Sequence, residues 1–337
     1  MTTGSGAVRG DVFLFVGTRK GGFMLSSDTS RREWSPAGPY SAGSEVFHFV
    51  YDPREGGRTI AAVNQMVWGP EIQITEDLGS TWLSGKGQPR FSEDTGRTVD
   101  RLWHVEPGRE SEPGVLYTGV QPAALFKSED YGDPWNEVAG LSNHPTRDQW
   151  QPGLGGLCLH SMVFDPRDND RFWVGMSAVG VFGTSDSGDS WQAMNQDVRA
   201  EFSPDPFPEF GQCTHKLLSP KSRPDVFRSH KAGENWTDIT GDLPSRFGFV
   251  LGLPSQDADT IYVLPEDETT REQVGGALRY VTDAKMRMFR SRNGGGDWEP
   301  MTKGLPQDNA YINVLREGMA TDALDSCGIY LGTTTGQ

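Results

Sequence analysis

One short segment recurs along the chain and constrains its fold more than any other feature. The pattern is Ser or Thr, then Asp two positions later, Gly four later and Trp seven later, and residues 75–82, 128–135 and 184–191 match it fully. Residues 27–34, 229–236 and 291–298 keep the hydroxyl residue and the Trp but replace the Asp. The six Trp residues are 45 to 62 positions apart. Such spacing indicates a fold built from copies of one small unit.

The composition of this segment is typical of a tight turn between two strands. An Asp carboxylate accepts hydrogen bonds from turn N–H groups, Gly adopts positive φ, and Trp packs against the sheet. Short apolar stretches precede the better copies, for example residues 115–120 and 124–127. Each repeat therefore predicts a four-stranded antiparallel meander, with the segment in the turn between its third and fourth strands.

The segment resembles the Asp-box of sialidases and other BNR-repeat propellers, and the order of motifs resembles bacterial BNR-repeat proteins labelled glycosyl hydrolase or sialidase-like. The resemblance implies an all-β fold: a single β-propeller domain over residues 1–337 with seven blade positions of four-stranded meanders. The predicted positions are residues 11–38, 44–86, 100–140, 156–194, 211–241, 246–303 and 309–337. The first lacks its innermost strand, and the fifth and the last are incomplete.

Charge and composition exclude some function classes. With 31 Lys and Arg against 46 Asp and Glu, the formal charge is −15, which argues against a nucleic-acid partner. No apolar run approaches the roughly 20 residues that a membrane span needs. Three cysteines cannot build a disulfide framework, and the first residues lack the apolar core of a signal peptide, so we expect a cytoplasmic protein that does not bind membranes.

Four of the six histidines recur once per predicted blade. They are His48, His104, His160 and His215, at spacings of 56, 56 and 55 residues. Each falls early in a predicted innermost strand, so we expect the imidazoles to converge at one mouth of the channel. Such a ring favours a divalent metal ion of unknown identity. The same side chains suit anion binding or general base catalysis, or they are hydrogen-bonded residues inherited with the repeat.

Two cysteines stand two positions before two of these histidines, in Cys158-Leu-His160 and Cys213-Thr-His215. Strand alternation would place each Cys and His on one face, which allows a mixed Cys/His site between neighbouring blades. The alternative is that both cysteines are small buried hydrophobic residues.

Loops predicted at the same mouth supply further candidate ligand-binding residues. The loop before His160 contains Arg147, Asp148 and Trp150, followed by glycines, and we predict that Trp150 is exposed. This composition is typical of a binding loop. Loops between second and third strands add Arg19, Trp68, Glu71 and Gln121. As alternatives, Arg147 and Asp148 form a surface ion pair and Trp68 is a wedge between blades.

The resemblance does not extend to the sialidase active site. The early Arg-Ile-Pro motif is absent, and no spacing marks three arginines or a Tyr–Glu pair. We therefore predict binding of a small polar or anionic molecule at the histidine-lined mouth, with metal-assisted hydrolase or lyase chemistry. His160, His215 and Arg147 are the catalytic candidates. The alternatives are a noncatalytic scaffold or assembly propeller with a protein partner, and a sialidase-like glycoside hydrolase.

Overall fold

The computed structural model describes residues 12–85, 87–200, 203–218, 227–229, 231–267 and 279–336. Within these ranges the secondary structure is almost entirely β, with one four-residue α-helix at Ala139–Ser142 and a few single-turn 3-10 segments. The all-β prediction is therefore confirmed. No helix among the described residues has the length and apolar character to cross a bilayer.

The chain divides into two compact units. Unit 1 comprises residues 1–148, 157–160 and 186–190, and unit 2 comprises residues 149–156, 161–185 and 191–337. A single domain over residues 1–337 stays a prediction.

Unit 1 contains three antiparallel sheets, each formed by strands that follow one another in the chain. The first sheet consists of β1 (Val12–Thr18), β2 (Gly21–Ser27) and β3 (Ser35–Tyr40). The second consists of β4 (Glu45–Asp52), β5 (Arg58–Gln65), β6 (Gly69–Thr75) and β7 (Leu83–Ser84). The third consists of β8 (Arg101–Pro107), β9 (Leu116–Gln121), β10 (Ala124–Ser128) and β11 (Asn136–Glu137).

The remaining strands lie in unit 2, except that the first two residues of β12 belong to unit 1. One sheet consists of β12 (Leu159–Phe164), β13 (Phe172–Met176), β14 (Gly180–Thr184) and β15 (Gln192–Ala193), and a two-stranded pair follows, β16 (Phe227–Arg228) with β17 (Thr237–Asp238). The next sheet consists of β18 (Gly248–Gly252), β19 (Ile261–Pro265), β20 (Met288–Ser291) and β21 (Glu299–Met301). The final pair is β22 (Met319–Thr321) with β23 (Ile329–Leu331).

The predicted count of seven blade positions is wrong, whereas the prediction that the fifth and last positions are incomplete agrees with the described strands. Five sheets have three or four strands, whereas the predicted fifth and last positions hold only two-stranded pairs in the described part of the chain. At the fifth position 21 residues separate His215 from Trp236, against 31 to 34 in the preceding repeats, too few for a full meander. Residues 219–226 of that position lie outside the described ranges.

The repeated turn is built mainly on the hydroxyl of its first residue. Four such hydroxyls accept a hydrogen bond from the N–H of the Gly four positions later, at 2.8–2.9 Å: Thr75, Ser128, Ser229 and Ser291. The glycines that donate these hydrogen bonds all have φ between 86° and 95°, so Gly is needed there. Asp77 Oδ1 accepts the N–H of Thr81 at 2.8 Å, and this hydrogen bond, together with those from the Thr81 and Thr75 hydroxyls, lowers the pKa of Asp77 to about 2.

In unit 2, the Trp residues that end two of the repeats pack between successive sheets. Trp236 Nε1 donates to the carbonyl of Met194 at 2.8 Å, and Trp298 Nε1 donates to the carbonyl of Ile239 at 3.0 Å. Both rings are buried, so the polar N–H is satisfied while the ring fills the interface. In unit 1, Trp135 joins a core of apolar side chains from the second and third sheets: Ile60, Ala62, Ile72, Leu102, Val105, Leu116, Val120 and Phe126.

Candidate functional site

Two equivalent β-bulges position the first two candidate histidines in unit 1. Along β4 and β5, Val46 opposes Val63 but His48 opposes Ala62, so Phe47 is an extra residue. Along β8 and β9 the same shift occurs between Leu102 and His104, so Trp103 is extra. A bulge bends its strand and re-aims the side chains beside it.

The two bulges bring matching side chains together. The ring centroids of His48 and His104 are 4.1 Å apart, and those of Phe47 and Trp103 are 4.7 Å apart. A side-chain amide fixes this join, because Asn64 donates to the Leu102 carbonyl at 3.1 Å and accepts the Leu102 N–H at 2.8 Å. Unit 1 thus presents an aromatic pair beside an imidazole pair.

Hydrogen bonds define the state of the two imidazoles. The backbone N–H of Val105 donates to His48 Nδ1 at 3.4 Å, so that nitrogen carries a lone pair. His104 Nε2 lies 3.1 Å from a Glu106 carboxylate oxygen, and a carboxylate accepts, so neutral His104 carries its proton on Nε2. His104 Nδ1 is buried and has no hydrogen-bond partner among the described residues.

Loops and strand starts of unit 1 surround these pairs. One end of the second and third sheets contains the first residues of β4 and β8 and the β5–β6 and β9–β10 turns. We call this end the "histidine edge". Gln121, at the end of β9, accepts a hydrogen bond from Trp103 Nε1 at 3.1 Å. Arg101 lies with its guanidinium 5.8 Å from the Phe47 ring centroid. Arg19, from the β1–β2 turn, is exposed and lies 3.5 Å from a carboxylate oxygen of Glu45.

The β5–β6 turn places three consecutive apolar side chains in solvent: Met66, Val67 and Trp68. Trp68 is 85 % exposed, so the alternative that it is a wedge between blades is wrong. Glu71 follows on β6, and its carboxylate accepts hydrogen bonds from Gln65, from Gln73 and from Ser84 Oγ, the last at 2.8 Å. Glu71 is therefore held in one orientation, whereas Trp68 is available to a ligand.

The predicted binding loop divides between exposed and buried positions. Arg147 Nη2 donates to the Ala123 carbonyl at 3.3 Å, which brings this guanidinium to the β9–β10 turn. Burial lowers the pKa of Arg147, and the nearby positive charge of Arg97 lowers it further. Asp148 is exposed.

The prediction that Trp150 is exposed is wrong, because its ring is 5 % exposed in unit 2 and packs against Phe182 at 5.1 Å. Burial of the large apolar indole stabilises the loop, and Gly residues around it do not indicate exposure.

The other two candidate histidines are buried. His160 lies in β12 and is 1 % exposed. His215 lies in an irregular stretch of unit 2 rather than in the predicted strand. Its Nδ1 is 2.9 Å from the Gly248 carbonyl, and its ring packs against Phe247 and Phe249. Burial, followed by the charge of Arg316, lowers the pKa of His215 to about 3, so the imidazole is neutral at physiological pH.

Several residues beside these histidines were missed from the sequence. The aromatic residue before His48 and before His104 recurs in two repeats, a signal that was available in the sequence. Glu106, two positions after His104, had no motif to mark it. In unit 2, Arg279 lies 3.3 Å from the Phe247 ring centroid and Glu266 is fully buried, yet neither belongs to the repeat pattern.

Comparisons with known proteins support the fold and a broad class. No profile of a known protein family matches the chain. An oligoxyloglucan-reducing end-specific xyloglucanase of Emericella nidulans is 30 % identical over 191 residues, covering 54 % of this chain and 22 % of that protein. The chain therefore spans about a fifth of the length of that relative. The Asp-box resemblance stays a prediction.

Two solved structures share the fold at low identity. A glycoside hydrolase family 74 enzyme of Niastella koreensis matches with a TM-score of 0.57 and 18 % identity, covering 88 % of this chain and 44 % of its own. YCF48 of Cyanidioschyzon merolae matches with a TM-score of 0.52 and 11 % identity, covering 96 % of this chain and 94 % of its own. The chain has an all-β propeller fold and is similar to glycosyl hydrolase propellers.

Proposed function

We propose that the histidine edge of unit 1 binds an oligosaccharide of the β-glucan class. The observation that carries the proposal is the half-buried Phe47–Trp103 pair directly beside the His48–His104 pair. A pyranose ring has an apolar C–H face that stacks on aromatic rings and hydroxyls that bond to planar polar side chains. The edge offers both surfaces within a few ångströms of each other.

Further side chains extend this surface. Trp68 is exposed on the adjoining turn, and Arg101 supplies charged N–H donors at the start of β8. Three consecutive exposed apolar residues are unfavourable on a protein surface unless they bind a ligand or a partner. The exposure of Met66, Val67 and Trp68 is therefore consistent with ligand contact at this turn. We infer that sugar units stack along the aromatic pair toward Trp68.

The ligand class follows from the sequence relative. The 30 % identical protein is named for action on xyloglucan, and the similarity favours a substituted β-glucan over other sugars. Glycoside hydrolysis requires two carboxyl groups flanking the scissile bond. The proposal for this edge is binding of the oligosaccharide. Hydrolysis of the same oligosaccharides would be measured separately.

Isothermal titration of the full chain with xyloglucan oligosaccharides, cello-oligosaccharides and malto-oligosaccharides tests the proposal. We expect binding of the first two classes, weakened about fivefold by Trp68→Ala and by Trp103→Leu, since an aromatic stacking contact contributes about 1 kcal/mol. Leu83→Ala, at an exposed apolar residue of β7 in the same sheet, is the matched control. Absence of binding to every glycan, or unchanged binding by both Trp variants, would refute the proposal and favour the scaffold alternative.

A divalent metal site is a second candidate, favoured by the unpartnered and buried His104 Nδ1. With Nε2–H donating to Glu106, the other nitrogen presents a lone pair, as in a carboxylate-supported histidine ligand. A ring nitrogen of His48 lies within 4.8 Å of one of His104. His48 Nδ1 accepts the Val105 N–H, so neutral His48 carries its proton on Nε2. Metal binding at His48 Nε2 would move that proton to Nδ1 and break the hydrogen bond with Val105. His104 Nδ1 can bind a metal without such a loss, so it is the better ligand of the two.

Metal analysis of protein purified without an affinity tag tests this second candidate. We expect one equivalent of metal, lost in His104→Gln and weakened about tenfold in Glu106→Gln, because the supporting carboxylate orients the ring. A metal content unchanged by His104→Gln would exclude this pair as the site. The matched control is His144→Gln, a partly buried histidine of unit 1 outside the repeat.

A further inference from the structure

Cys213 and His215 in unit 2 form a contact that neither the repeat nor the proposed function uses. Cys213 Sγ lies 3.3 Å from His215 Nε2. The Cys213 side chain is exposed, whereas the His215 ring is buried. A buried imidazole therefore meets an accessible thiol.

The backbone sets the tautomer of His215. A carbonyl only accepts, so the contact of Nδ1 with the Gly248 carbonyl at 2.9 Å makes Nδ1–H the donor. The lone pair of the neutral ring then lies on Nε2, on the side of the thiol. Phe247 and Phe249 pack on the ring with centroid distances of 4.9 and 4.7 Å, which restricts its rotation. Such support from outside the donor set is what orients a histidine ligand.

The spacing of the two donor atoms fits a chelate. In tetrahedral zinc sites Zn–S is about 2.3 Å and Zn–N is about 2.05 Å, so adjacent S and N ligands lie about 3.5 Å apart. The observed 3.3 Å is close to this value. The two donor atoms therefore need to separate by only about 0.2 Å.

We propose that Cys213 and His215 chelate a thiophilic divalent cation of the Zn²⁺ class. On binding, the Cys213 S–H bond breaks, an S–metal bond forms and the proton is released to solvent, while His215 Nε2 donates its lone pair. Water or an anionic group from solution would complete the coordination. The guanidinium charges of Arg279 and Arg316 act on the same ring, and the negative thiolate offsets part of their repulsion of the cation.

Cobalt(II) titration of the dialysed full chain under reducing, oxygen-free conditions tests the proposal. We expect a thiolate-to-cobalt charge-transfer band at one equivalent, displaced by Zn²⁺ and absent in Cys213→Ser. His215→Gln should weaken binding at least tenfold, as loss of a ligand predicts. Cys327→Ser, at a partly buried cysteine of the same unit, is the matched control and should leave the band unchanged.

A second measurement does not depend on a variant of the buried histidine. Zn²⁺ should slow iodoacetamide alkylation of Cys213 about tenfold or more, read by mass spectrometry, with no change at Cys327. Absence of the band at millimolar Co²⁺, its survival in Cys213→Ser, or alkylation of Cys213 insensitive to Zn²⁺ would overturn the proposal. Because these residues lie outside the histidine edge, a His104→Gln variant should keep the band whatever its effect on the other candidate site.

Discussion

Glu266 should make the stability of unit 2 depend on pH. It is fully buried beside an apolar cluster that includes Leu264, Val281 and Val314. One carboxyl oxygen accepts the Val314 N–H at 3.0 Å, and the other has no hydrogen-bond partner among the described residues. Burial raises the pKa of Glu266 from 4.5 to about 7.

The sign and size of this pH dependence follow from the difference in the pKa of Glu266 between the folded and unfolded states. As pH rises above 4.5, the unfolded chain loses the Glu266 proton while the folded protein keeps it, so folding stability falls until the pH reaches about 7. The slope is about 1.4 kcal/mol per pH unit, which gives a total loss of about 3 kcal/mol. The stabilising contribution is complete below pH 4.5 and lost above pH 7.

Urea unfolding of the wild type and of Glu266→Gln at pH values from 4 to 8 measures this effect. The neutral amide cannot ionise, so the stability of the variant relative to the wild type should rise by about 3 kcal/mol across the interval and then level off. Any constant offset reflects the amide hydrogen bonds and does not enter the comparison. Glu234→Gln, at an exposed position, controls for the substitution itself. A difference curve that is flat between pH 4.5 and 7 would refute the reasoning.

Two further predictions concern packing in these repeats. Arg54→Ala should cost about 3 kcal/mol, because the buried Asp52 loses its bidentate partner and the carbonyls of Arg109, Glu112 and Val115 lose their donor. Arg167→Ala, in the second Asp-Pro-Arg turn, should cost less than about 1 kcal/mol: Asp165 is also buried, but its partner Arg167 is 78 % exposed against 8 % for Arg54, so water can replace the guanidinium. Urea unfolding of both variants checks this, and equal losses would contradict it. Gly119→Ala should destabilise by about 1–3 kcal/mol, because its Cβ would lie 2.4 Å from the Leu159 carbonyl oxygen; thermal unfolding should show a lower midpoint, and an unchanged midpoint would exclude that clash.

The repeated turn was predictable because its chemistry is local. A hydroxyl, a Gly with positive φ and a Trp at fixed offsets are needed within eight residues, so their identities report the turn directly. Ser229 and Ser291 make the turn although Lys231 and Asn293 replace the Asp. The hydroxyl is therefore the more general determinant, whereas the sequence pattern gave equal weight to the carboxylate.

The number of blades was not predictable in the same way. A strand is recognised by several residues of alternating character, and the outermost strands of the four-stranded sheets are only two or three residues long, as in Leu83–Ser84 and Gln192–Ala193. At the fifth position the Trp and the turn are present, but the chain is too short for two further strands. The motif therefore predicts the number of turns. The number of complete sheets depends on the length and sequence of the segments between the turns.

Of the four candidate histidines, the candidate site contains His48 and His104, and its geometry was not predictable from their spacing. Alternation along a regular strand would send Phe47 and His48 to opposite faces. The extra residue in each of two strands breaks this rule, and nothing in the local sequence identifies a bulge before the register with the next strand is known. The prediction that Trp150 is exposed was wrong for a related reason. Its burial depends on residues far away in the sequence, such as Phe182.

The third repeat shows why the aromatic surface is confined to two sheets. It has Leu159 before His160, where the earlier repeats have Phe47 and Trp103. Leu159 is fully buried, and its backbone approaches Gly119 so closely that no side chain fits there. This position therefore contributes packing between successive sheets and cannot extend the aromatic surface. The residue before each histidine therefore differs in its environment although the histidine spacing is shared. The proposed ligand binding at the histidine edge should depend on Phe47 and Trp103 and not on Leu159.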